Sequence, residues 1–116
     1  MIDEEEKLKN YLAKSVQDGD IEQIVADWTM QVWQSLPKTL SMPDCAATPD
    51  GCLLYTWNNG VHHLEVEVYP SGYEGMVELF YLNRETDEKR DTDFTVGQPR
   101  PDEFTAKFSL FPATRL

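Results

Sequence analysis

Residues 52–69 read CLLYTWNNGVHHLEVEVY, two runs in which apolar and polar side chains alternate on either side of Asn59 and Gly60. Alternation with period two is the pattern of a half-buried strand, and Asn-Gly between two such runs is a strong local signal for a hairpin. A two-residue type I′ loop sets Asn58 opposite Val61. It predicts the pairs Trp57 with His62, Thr56 with His63, Tyr55 with Leu64, Leu54 with Glu65, Leu53 with Val66 and Cys52 with Glu67. Leu53, Tyr55, Trp57, Leu64, Val66 and Val68 then share a face that should meet helices. Leu54, Thr56, His63, Glu65 and Glu67 share the other.

Beyond the hairpin, Pro70, Ser71 and Gly72 mark a turn, and residues 76–82 read as a third strand. Val77, Leu79 and Tyr81 lie on one face of it, and Glu78, Phe80 and Leu82 on the other. The charge run that follows Arg84 predicts a solvated loop reaching Glu103, with a short strand near Phe94 to Val96. Phe104, Ala106, Phe108 and Leu110 alternate with Thr105, Lys107 and Ser109 as a last strand, and residues 112–116 read as a frayed tail.

Upstream, residues 37–51 hold Pro37, Pro43 and Pro49 and end on Thr48, Pro49, Asp50, Gly51, which predicts a linking loop. Ile21, Ile24, Val25, Trp28, Val32 and Leu36 form a helical stripe over 20–36, with Asp20 as N-cap and Gln23 placed as in a capping box. Met30 and Trp33 fall off that stripe and either pack on the neighbouring helix or form exposed apolar surface. Leu8, Tyr11, Leu12 and Val16 mark a first helix over 3–18, which Gly19 ends. The expectation is a single α+β domain over 1–116. Its helical pair, 3–36, packs on one face of an antiparallel meander of about four strands within 52–111.

At 116 residues with 41% apolar content, the chain can bury a core without disulfides or a structural metal. Asp3, Glu4, Glu5 and Glu6 stand where a signal peptide would carry positive charge, which predicts a cytoplasmic protein in which Cys45 and Cys52 stay reduced. The net charge is −11 and unevenly spread. From Ser15 to Asn83 ten acids (Asp18, Asp20, Glu22, Asp27, Asp44, Asp50, Glu65, Glu67, Glu74, Glu78) face one base, Lys38. Direct binding to a nucleic-acid backbone is disfavoured, because no basic stripe exists to displace counterions.

Pro49-Asp50-Gly51, then Trp57 through Glu67 (WNNGVHHLEVE), then Glu78-Leu79-Phe80-Tyr81 and Arg84-Glu85-Thr86 carry a resemblance. This stretch resembles a group of small bacterial proteins that have no assigned activity. The likeness implies a bacterial origin and supports the strands, and it transfers no catalytic residue. The N-terminal helices lie outside it.

His63, Glu65 and Glu67 share a strand face at i, i+2, i+4, and they are the candidate ligands for a divalent metal. A single strand spreads ligands along a line, whereas a mononuclear site needs convergence, so the expectation is a solvated polar face, with no bound metal and no cofactor. His62 points the other way, as a hydrogen-bonded histidine at the core edge. No phosphate loop, nucleophile elbow, dinucleotide fingerprint or His-Glu-x-x-His motif is present. An interaction protein fits best. In one version Asp18, Asp20, Glu22, Asp27, Glu65, Glu67 and Glu78 form an acidic surface for a basic protein partner. Met30, Trp33 and Phe80 serve as its apolar anchors, in the manner of an antitoxin or anti-CRISPR inhibitor that masks a nucleic-acid site. In the other, the strip Leu54, Phe80, Leu82 makes a homodimer or docks a subunit.

Overall fold

The computed structural model describes residues 4–113, in the order α1 (Glu4–Gln17), α2 (Gln23–Ser35), β1 (Asp44–Ala47), β2 (Leu53–Asn58), β3 (His62–Val68), a 3-10 turn (Ser71–Tyr73), β4 (Met76–Asn83), β5 (Lys89–Thr95) and α3 (Asp102–Phe108). The sheet is an antiparallel meander in which every strand pairs with the next, β1-β2-β3-β4-β5. The α+β expectation therefore holds, with five strands in place of about four and a third helix. Residue 3, where the first helix was expected to begin, lies outside the described residues.

Alternation decides the core. Leu53, Tyr55 and Trp57 on β2, Leu64, Val66 and Val68 on β3, and Val77, Leu79 and Tyr81 on β4 are all buried on one face. Val25, Ala26, Thr29 and Val32 of α2 close part of that face, with Leu8 and Leu12 of α1 in the same cluster. Phe104 and Phe108 of α3 close the rest, the Phe108 ring meeting Trp57 edge-on with 5.6 Å between centroids. The Trp57 indole N–H donates to the Ser41 carbonyl at 2.8 Å, so its polar atom is satisfied.

The hairpin register differs from the expected one. Trp57 pairs with Leu64 and Leu53 with Val68, two residues along from the type I′ pairing. Gly60 has φ +95°, but Asn59 is not among the non-glycine residues with positive φ, so the tight turn does not form. Instead the Asn59 N–H donates to the His62 carbonyl at 3.1 Å, and Asn59 Oδ1 accepts the His62 N–H at 2.8 Å. Side chains repeat every two residues, so a two-residue slip returns each to its original face, and the assignment of inner and outer residues survives.

Five other expectations are corrected. Asp20 does not cap α2, because its N–H and that of Ile21 both turn back to the Ser15 carbonyl (2.9 and 3.4 Å) and finish α1; Glu22 is the N-cap, and its side chain makes no capping bond to the helix. The linking loop 37–51 contains β1, which pairs with β2. The charged loop after Arg84 contains β5, paired with β4 along its length. The expected strand 104–111 is largely helical. Phe104 and Phe108 stand four apart and so fit a helix stripe as well as an alternation, and Pro101 followed by Asp102 and Glu103 is a helix start. The expected frayed tail is pinned at its root: Pro112 bridges Leu40, and the Ala113 N–H donates to the Thr39 carbonyl at 2.8 Å. Residues 114–116 lie outside the described residues. Cys45 and Cys52 are both free thiols, and no helix among the described residues is long and apolar enough to cross a membrane.

Helix and strand make different demands at Ala106. On a strand it would share the buried face of Phe104 and Phe108; on α3 it is exposed. Ala106→Glu should therefore change stability by less than about 0.5 kcal/mol, while Phe108→Ala should cost about 3–5 kcal/mol, both measured by urea denaturation. A large loss from Ala106→Glu would restore the strand.

Candidate functional site

The helices cover one face of the sheet, and the strand registers show what the other face carries. One row across all five strands runs Asp44, Thr56, Glu65, Phe80, Asp91, and the next runs Ala46, Leu54, Glu67, Glu78, Asp93. A third runs Asn58, His63, Leu82, Lys89. Six carboxylates thus occupy one face, with neighbouring strands about 4.8 Å apart. Leu54, Phe80 and Leu82 lie among them, half-buried.

None of the six forms an ion pair with a lysine or arginine among the described residues, and Glu65 pairs instead with His63 at 2.7 Å. Like charges directly opposite one another, as Glu67 and Glu78 are, destabilise a sheet. The Glu67 carboxyl is held above the ordinary carboxylate range. Burial is the main cause and the charges of Glu78 and Glu65 add to it, while hydrogen bonds from Cys52 and Tyr69 act in the opposite sense. The same surroundings, burial first and then Glu67 and Glu78, push the Tyr69 phenol up to about 12.

His63 is held from both sides. Asn58 Oδ1 accepts the Gly60 N–H at 2.9 Å and Arg84 Nη1 at 3.2 Å, which turns its Nδ2 toward His63 Nδ1 at 3.2 Å. Nδ1 is then an acceptor, and the ring proton sits on Nε2, donated to Glu65 Oε2. The Phe80 ring meets the imidazole at 6.3 Å between centroids. With both nitrogens engaged, His63 has no free lone pair for a metal or for proton abstraction. Among the described residues no group of three or more His, Cys, Asp and Glu side chains is arranged to hold a metal ion. His62 faces the other way, as expected, and its Nδ1 lies 2.7 Å from the Tyr81 hydroxyl.

Of the candidates read from sequence, Glu65, Glu67, Glu78 and Phe80 come together on this face. The helical set does not join them. Asp18 pairs with Lys14 at 3.2 Å, and Asp27 accepts from the Gln23 side chain at 3.0 Å on α2, in the layer beyond the sheet. Asp20 lies in the link between α1 and α2. Glu22 reaches Ser71, accepting its N–H at 2.8 Å and its hydroxyl at 2.9 Å, and these bonds lower its carboxyl from the ordinary range. Met30 and Trp33 pack half-buried against the core, Trp33 edge-on to Tyr55 at 6.2 Å, so neither is an anchor on the acidic face. Asp44, Asp91 and Asp93 join the face through β1 and β5, where the expectation is a loop at 37–51 and only a short strand near Phe94 to Val96; alternation of Asp91, Asp93 and Thr95 against Thr92 and Phe94 is the signal for the longer strand.

Comparison with protein-family models, with curated proteins and with solved structures found no match to this chain.

Because the Glu67 pKa is raised in the folded state, folding favours its protonated form. Stability is lost as pH rises from the unfolded carboxylate range through the raised value. Glu67→Gln should therefore raise the Tm at pH 7, and the gain should vanish below about pH 4, where the wild-type carboxyl is protonated in both states. Thermal melts across that range check it; an equal gain at both ends would assign the effect to packing.

Proposed function

We propose that this chain is a non-catalytic acidic interaction domain that receives a basic protein partner on the uncovered face of its sheet. One observation carries the reading: six carboxylates in register, unpaired with lysine or arginine among the described residues, surround half-buried Phe80, Leu54 and Leu82. Unpaired like charges raise the energy of the free domain, and a partner bearing lysines and arginines relieves it. Such a field accelerates encounter, while desolvated apolar groups hold the complex, and Phe80 is the central one.

A basic surface that fits rows of carboxylates also fits a phosphate backbone. The reading therefore extends to an inhibitor of the antitoxin or anti-CRISPR kind that occupies a partner's nucleic-acid groove. A homodimer through the same strip is disfavoured, since face-to-face copies would set Glu65, Glu67 and Glu78 against one another. A third reading, a metal-dependent enzyme using His63, Glu65 and Glu67, is disfavoured because both nitrogens of His63 are engaged.

Capture from the native host at low and high salt tests the proposal. A partner should be retained at low salt and released as ionic strength rises. Glu65→Lys combined with Glu67→Lys should slow association by about tenfold or more and flatten its salt dependence. Equal binding by the double variant would make the acidity a matter of solvation alone. In light scattering, wild type and Phe80→Glu should both be monomeric; a wild-type dimer abolished by Phe80→Glu would favour self-association.

A further inference from the structure

The two edges of the sheet are finished differently. At β1 the outward N–H of Ala47 is taken by α1, whose Tyr11 hydroxyl accepts it at 2.9 Å. At β5 no strand or hydrogen bond among the described residues closes the edge. The bonds Asn83 N–H to Glu88 and Val96 N–H to Gly75 bracket the β4–β5 ladder, so Arg90, Thr92 and Phe94 turn their backbone groups toward β4. Lys89, Asp91 and Asp93 turn theirs outward, and no hydrogen bond engages them among the described residues. Their side chains lie on the open acidic face, where Asp91 continues the row of Phe80 and Glu65, and Asp93 that of Glu78 and Glu67.

We infer that the free edge of β5 takes an extended segment of the basic partner as a sixth strand, with lysine or arginine opposite Asp91 and Asp93 and apolar residues beside Thr92 and Phe94. This rests on the reading of the open face and specifies how the partner engages it. Backbone pairing at an open edge supplies affinity, and alternate side chains supply selectivity. Charges on an edge strand ordinarily deter pairing, but two acids on one face deter only neutral and acidic strands, and they select a basic one. A second copy of this chain does not fit. Any two-fold register that pairs five or more β5 residues sets Asp91 or Asp93 against an acid of the copy.

The probe is a short extended peptide that spans β5 with lysine opposite Asp91 and Asp93, glutamate opposite Lys89 and valine between them, with a control N-methylated at each lysine, where the donors facing Asp91 and Asp93 are lost. At low salt the peptide should slow hydrogen exchange at the Lys89, Asp91 and Asp93 amides by about tenfold or more. N-methylation should abolish this protection, and Asp91→Lys with Asp93→Lys should weaken binding by about tenfold or more. Binding that protects none of these amides and is unaffected by N-methylation would overturn the edge inference and leave the open-face reading standing. Absence of binding would overturn it as well, and salt-sensitive capture by wild type, lost on reversal of Glu65 and Glu67, would show that the face reading survives.

Discussion

The side chain of Tyr55 stands where the two layers of the molecule meet. It lies at the middle of β2, fully buried, with its ring between Trp33 of α2 and Trp57 of its own strand. Its hydroxyl donates to the Thr29 carbonyl at 3.2 Å, and the Thr29 hydroxyl in turn donates to the Val25 carbonyl at 2.7 Å. Burial raises the phenol pKa far above its ordinary value, so the group stays a donor at every physiological pH. A buried bond of this kind contributes about 1 kcal/mol net, and leaving it unmade costs more. It sets α2 against β2, and the sheet's other face is open because this one is taken.

How much of this was legible in the residues depended on which side chains had a core to face. β2, β3 and β4 were readable because Leu53 through Leu79 alternate large apolar groups with polar ones, and that parity outlasted an error in the turn. The turn itself was misread because Asn-Gly favours a tight loop only if Asn59 adopts positive φ, and here its side chain bonds His62 instead. β5 sends only Arg90, Thr92 and Phe94 inward, too little apolar character to announce a strand, and it exists because β4 offers it a ladder. α3 shows the reverse problem, since a seven-residue stretch with Phe104 and Phe108 satisfies both periods. The candidate site was half legible for the same reason: its β3 and β4 acids were found with their strands, and Asp44, Asp91 and Asp93 were lost with theirs.

The acidity, read along the chain, is one block between Ser15 and Asn83; folding divides it between two layers. The helical acids spend their charge locally, Asp18 on Lys14 and Glu22 on the Ser71 turn. Those of the open face meet no lysine or arginine among the described residues, and Glu67 is raised first by burial and then by the charges of Glu78 and Glu65. A field of that kind is screened beyond about 8 Å at physiological salt, so two faces separated by a sheet and a helix layer act as separate surfaces.

The strictly sequential order of the strands also bears on how the chain reaches this structure. Each strand finds its partner across a short connection, so little loop-closure entropy stands against the sheet, and topologies rich in local pairing fold quickly. Contacts distant in sequence then tie the helices and the C-terminal segment to the sheet, among them Tyr11 on Ala47, Arg100 on the Ser35 carbonyl at the end of α2, and Leu40 beside Pro112. They unite the beginning and end of the chain around a meander whose strands pair in sequence order.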